Sequence, residues 1–270
     1  MAAALETVLR RDRQVVLAAL AVLVLLAWAW LLAGSGTGMS MRAMTTAAFP
    51  PPAMPFDPMP WSPAYAAVML AMWAVMMVAM MLPSAAPVIL LYAHAWRSEQ
   101  RRGRIAPGRP PVEAFVAGYL TVWTGFAVVA TALQYGLERS GLVHGMLMWS
   151  TSPLLSAAIL VAAGLYQFLP AKQACLVQCR SPAAVIAGRF RAGAMAAWRI
   201  GLGHGLFCLG CCWALMALLF VGGVMNLVWI AGLTLVVVAE KMLPAGALLS
   251  KLFGALMILA GLWLGLTGLA

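Results

Sequence analysis

Along the chain, long uncharged apolar runs alternate with short polar or basic stretches. A hydrocarbon core about 30 Å thick takes roughly 20 apolar residues of helix. Seven runs reach or approach that length: Val15 to Ala33, Ala64 to Trp96, Glu113 to Tyr135, Leu154 to Leu169, Ala194 to Phe220, Val224 to Ala239, and Ala245 to Ala270. The pattern predicts an all-α polytopic transmembrane helix bundle of six to seven spans, with the fourth and sixth the shortest. Within the second run, Pro83 and Pro87 remove backbone donors, so its membrane portion is expected to kink or end near Leu82. Gly34 to Pro63 contains GSGTG and PPPAMPFDPMPWSP and shows no periodicity, which reads as an extended loop of polyproline character. Three regions follow: residues 1–33, a tail and first span; 34–63, a Met/Pro-rich external loop; and 64–270, a membrane domain with Arg-rich loops at 97–112 and 170–191.

Composition agrees with that pattern. The 270 residues are 64% hydrophobic and 9% charged, against about 45–50% and 25% in soluble domains, and the mean hydropathy is +0.96. Such a chain cannot present an ordinary water-facing surface. The net charge of +10 would suit a nucleic-acid binder if the basic residues formed a patch, but they sort by loop instead. Arg10, Arg11 and Arg13 occupy the N-terminal tail, five arginines lie between Arg97 and Arg109, Lys172, Arg180, Arg189 and Arg191 follow span four, and Lys241 and Lys251 flank the last turn. The opposite side holds Arg42 and Arg139. Lys and Arg accumulate on the cytoplasmic face of membrane proteins, so the N-terminus is expected inside, the C-terminus in the periplasm, and no nucleic-acid partner is implied. The first run exceeds the 7–15 residues of a cleavable signal core and contains Trp28 and Trp30, which favours a retained signal anchor.

Three groups of soft or ionisable residues stand out. Span five reads GLGHGLFCLGCCWALM and carries His204, Cys208, Cys211, Cys212 and Met216. At about 100° per residue, His204, Cys208 and Cys211 fall within about 60° of one another, with Cys212 on the flank. Isolated membrane cysteines are usually small packing residues; three of five within five residues, one turn from a histidine, point to soft-metal ligation. Gly201, Gly203, Gly205 and Gly210 thin the same helix and let a neighbour approach. The second group, Cys175 and Cys179, lies in LPAKQACLVQCRSP at the cytoplasmic end of span four, where a structural disulfide is disfavoured. The third is methionine: Met69, Met72, Met76 and Met80 share a helix face within about 80°, and Met39, Met41, Met44, Met54 and Met59 populate the external loop. Buried Met is often core filler, but a thioether-rich loop leading into a thioether stripe would also suit the approach of Cu(I). Glu240 and Lys241 adjoin the membrane interior as an interfacial ion pair or a proton relay, and Glu240 could alternatively accept an arginine such as Arg199, which is expected to snorkel to the cytoplasmic interface.

These residues carry a resemblance. WAVMMVAMMLPSAAP (Trp73 to Pro87), KQACLVQCRSP (Lys172 to Pro182), GLGHGLFCLGCCWALMALLFVGGVMN (Gly201 to Asn226) and the Glu240–Lys241 pair are similar to a bacterial family of predicted metal-binding integral membrane proteins, named as a domain of unknown function. The resemblance covers roughly Trp61 to Lys251 and implies metal binding with no established reaction.

The leading expectation is a bacterial inner-membrane protein that binds a soft metal, copper as Cu(I) ahead of zinc or iron, and handles, transfers or inserts it. Its metal residues would be His204, Cys208, Cys211, Cys212, Cys175, Cys179, Met76 and Met80, and its partners the lipid bilayer and a metallochaperone or membrane complex. Two alternatives remain: a scaffold subunit whose glycine seams (Gly201/Gly205, Gly261/Gly265) serve packing, and a thiol redox protein passing electrons between the two cysteine groups. The chain has none of the common motifs for hydrolysis, phosphoryl transfer or nucleotide binding, and an enzymatic reaction is not expected.

Overall fold

A computed structural model describes residues 2–52, 60–181, 183, 186 and 190–268, with side chains from residue 13 onward. Met54, Met59, Pro182, Arg189 and Ala270 lie outside the described residues, as do the side chains of Arg10 and Arg11. The elements are α1 (Ala2–Leu32), α2 (Pro63–Arg101), α3 (Val112–Arg139), α4 (Pro153–Tyr166), α5 (Pro170–Arg180), α6 (Ala194–Ala217), α7 (Leu219–Gly222), α8 (Leu227–Met242) and α9 (Gly246–Thr267). The β pairing among the described residues is a single bridge between Val143 and Ser150. Five helices are long and apolar enough to cross a membrane, and six if α4 and α5, bent by 64° at their junction, form one broken span. The sixth expected run corresponds to α8, which at 16 residues falls short of that length.

Caps explain several boundaries. The Ser62 hydroxyl accepts from Tyr65 N–H at 3.1 Å, with Pro63 in the first turn, and Ser152 does the same for Leu155 before Pro153; both follow the usual preference for Ser at N-cap and Pro just inside. Asn226 caps α8 by accepting from Val228 N–H and donates its own amide to Gly222 O and Thr46 O, tying the long loop to this end of the bundle. Of the kink or end expected near Leu82, the end does not occur: α2 continues through Pro83 and Pro87 to Arg101. Proline removes one ladder donor at each position; nearby, Met81 O accepts from Tyr119 Oη of α3 at 3.1 Å and from Ser84 Oγ of the same helix at 2.8 Å.

Close backbone approach sets the bundle's geometry. α3 and α6 pack most extensively, and a Cβ at Gly118 would strike the Trp198 carbonyl, while one at Gly201 would strike that of Phe115. α4 and α9 meet the same way, Gly254 facing Gly164 O and Gly261 facing Ala157 O. Small residues at crossings permit this contact between helices. α2 lies against α1, α3 and α8, and its stripe Met69, Met72, Met76 and Met80 is fully buried, as are Met77 and Met81.

Candidate metal centre

The α3–α6 crossing turns the cysteine face of α6 inward. Cys208, Cys211 and Cys212 are each 1% exposed. Cys208 Sγ is hydrogen-bonded to Tyr119 Oη at 3.0 Å and accepts from Lys241 Nζ at 2.8 Å. Lys241, from α8, also donates to Ser84 Oγ on α2 at 3.2 Å. The Cys211 thiol donates to Cys208 O at 3.1 Å and lies 3.2 Å from Cys212 Sγ. From α5, Cys179 Sγ approaches Cys211 Sγ to 3.8 Å. The 64° bend swings α5 back onto α6, and so the two cysteine groups, separate in sequence, become one cluster. All five cysteines are free thiols. Cys175, half-buried, is apart from that contact and packs against Gly210, where a Cβ would lie 2.7 Å from its Sγ.

Two thiolates bonded at about 2.3 Å to one zinc ion, at a tetrahedral angle, stand about 3.8 Å apart. The Cys179–Cys211 pair matches this separation. Among the described residues, no three His, Cys, Asp or Glu side chains are arranged to hold a metal ion, so what the cluster offers is a thiol pair, not a tetrahedral set.

Glu240 and Lys241 diverge. Lys241 turns to the thiols, while Glu240 Oε2 pairs with Lys172 Nζ at 2.7 Å. Both partners are buried. Lys172 Nζ also donates to Gln167 Oε1, which accepts from Ser250 Oγ at 2.9 Å. The ion pair anticipated between chain neighbours is therefore formed across helices instead, and Arg199 is exposed, apart from Glu240. Arg180 Nη2 donates to the carbonyls of Leu243 and Pro244, fastening the end of α5 to the end of α8.

His204 is buried and stacks on Tyr119, with ring centroids 5.6 Å apart. Its Nδ1 has no hydrogen-bond partner among the described residues; the ring also lies 6.4 Å from that of Phe115, and Tyr119 in turn contacts Cys208. The Met stripe runs along α2 between two polar groups. At one end is the Tyr119–Ser84–Cys208 cluster beside Met81. At the other, Gln134 Nε2 donates to Met69 Sδ at 3.5 Å and to Glu138 Oε1 at 2.8 Å. Trp61 Nε1 donates to Glu138 Oε2 and Trp73 Nε1 to Gln134 Oε1, each at 2.7 Å. Reading the sequence alone missed Ser84, Tyr119, Gln134 and Glu138, and the pairing of Lys172 with Glu240. Gln134 and Glu138, four apart in an apolar helix, carried a readable signal; Lys172 and Tyr119 gain meaning only from the tertiary contacts.

Residues 70–264 match the family model PpoB2, described as a copper chaperone. No curated protein and no solved structure matches the chain. The matched stretch contains every cysteine, Lys172, Glu240 and Lys241, whereas α1, the Met/Pro-rich loop and Met69 precede it.

Proposed function

Because the chain belongs to the PpoB2 copper chaperone family, we propose that it is a multi-pass protein of the bacterial inner membrane, N-terminus inside, that holds copper on buried thiols and hands it to a partner protein. Cys179 and Cys211 are the primary ligands, Cys208 and Cys212 the exchange ligands beside them, and Cys175 a further thiol toward the cytoplasmic end. Met76 and Met80 belong to a thioether path along α2, and His204 supports the site through Tyr119. Soft thiolate and thioether donors select Cu(I). Neighbouring donors of similar softness let the ion step between them, whereas a closed four-ligand site would retain it. The chain contains no nucleotide-binding motif, so ligand exchange with a metallochaperone or membrane complex supplies the direction of transfer.

The observation that supports this most is the approach of Cys179 to Cys211 at 3.8 Å inside an apolar bundle, since packing alone has no need to gather thiols from two helices. Purified protein in detergent is expected to carry near-stoichiometric copper by elemental analysis, and Cys179→Ser with Cys211→Ser to lose it. Metal-free wild-type protein after copper loading would refute the proposal. The same sulfur approach favours one other reading, a reversible Cys179–Cys211 disulfide in thiol redox chemistry. Differential alkylation of these thiols under oxidising and reducing conditions separates the two.

A further inference from the structure

We infer that α1, the end of α2 and the start of α3 form a binding site for one anionic phospholipid of the inner leaflet. The inference rests on the membrane-spanning, N-terminus-inside reading above and is independent of copper. α1 and α3 both pack on α2, and between them lies a groove of about 670 Å³. α1 lines it from Val15 to Leu23 and α3 from Val112 to Leu120. At 1.5 Å per residue each stretch is about 12 Å long, most of the roughly 15 Å depth of one hydrocarbon leaflet. Val15 and Leu23 remain about half exposed, so the walls still offer apolar surface to an acyl chain. α1 precedes the stretch that matches the copper chaperone family, and one wall of the groove therefore lies outside that match.

Charge gathers at the end where α3 begins. The charged residues of the lining are Arg97, Arg109 and Glu113. Arg97 Nη1 donates to Gly108 O and to Gln100 Oε1, each at 3.2 Å, and Gln100 Nε2 donates to Ala106 O and Gly108 O. These bonds fasten the loop after α2 to the helix and set Arg109 at the mouth beside Arg97. Glu99, at the end of α2, is taken up by Arg102 and Arg104 at 3.1 and 3.2 Å, outside the lining. Two guanidiniums against one carboxylate leave the mouth positive. Guanidinium geometry suits phosphate oxygens, and basic pockets between membrane helices on the cytoplasmic side bind anionic headgroups. The excess of positive charge favours a phosphodiester with net negative charge over a headgroup whose phosphate is balanced by an amine. The apolar walls favour a lipid over a free anion, because phosphate alone would leave them uncovered.

The test adds phosphatidylglycerol or phosphatidylcholine of the same acyl chains to delipidated full-length protein in detergent and counts bound lipid by native mass spectrometry. Wild type should hold one phosphatidylglycerol and prefer it to phosphatidylcholine. Arg109→Gln should lower that preference about fivefold, the worth of one basic residue facing an anionic headgroup. Glu113→Gln should raise it, an opposite shift that loss of folding cannot imitate. Ala19→Trp, at an exposed position of the groove wall, should block both lipids. Equal retention of the two lipids by wild type overturns the inference, as does phosphatidylglycerol binding that Arg109→Gln and Glu113→Gln leave unchanged. Displacement of the lipid by millimolar inorganic phosphate also overturns it, because the site would then be one for a free anion. A wild-type protein that stays in solution without detergent refutes the membrane-spanning reading itself, a different result from loss of lipid preference.

Discussion

Replacing Lys172 by Met removes one partner of a buried ion pair while preserving most of its volume. Lys172 and Glu240 are 0% and 1% exposed at their side chains, so in the variant the Glu240 carboxylate stays in an apolar setting without its cation. Its chain neighbour Lys241 is held by Cys208 and Ser84 and could turn to Glu240 only by abandoning them. Breaking a buried pair from one side typically costs about 3–5 kcal/mol, because an uncompensated charge remains. Against a folding free energy of about 5–15 kcal/mol, that is a large fraction. Replacing both partners, Lys172→Met with Glu240→Gln, removes the charge altogether, and such double replacements are often neutral or stabilising. Reversible unfolding in mixed detergent micelles would provide the four free energies of the double-mutant cycle. The single variant should lose about 3–5 kcal/mol, and the double variant should recover most of it. If Lys172→Met stays within about 0.5 kcal/mol of wild type, as surface substitutions do, or if the double variant is as unstable as the single, the pair is not holding α5 to α8.

At the α3–α6 crossing, Gly201→Val places a branched side chain against the Phe115 backbone; forced overpacking should cost about 1–3 kcal/mol, visible in the same unfolding assay, with reduced copper retention as the cysteine face is displaced. On α2, Met76→Leu with Met80→Leu conserves volume and should change stability by less than about 1.5 kcal/mol for each substitution. Stopped-flow loading should nonetheless slow if the thioethers carry the ion, and unchanged loading would reduce the stripe to packing.

Helical period was enough to put Cys208 and Cys211 on one face with His204, because residues three and four apart lie close together on any helix. It also marked the apolar runs, since membrane-spanning length and composition are local properties. What lay beyond it was everything decided by a bend or a crossing. Cys179 meets Cys211 because α4 and α5 part at 64°, and a break of that kind at Gln167 to Leu169 reads in sequence only as a short span ending. Glu240 finds Lys172 across 68 positions, where adjacency had suggested Lys241. The prolines of α2 carry a real local cost, yet the helix runs on through both to Arg101.

Lys172 and Cys179 both ride on α5, seven residues and about two turns apart, and a separation of seven brings them to the same side of the helix. This makes the short helix a strut with a latch at either end, one electrostatic and one sulfur. Straightening the bend would draw Cys179 from Cys211 and Lys172 from Glu240 in one movement. A displacement of α5 as a unit would therefore part the thiol pair and the ion pair together, tying the geometry of the sulfur cluster to a charge contact that contains no sulfur at all.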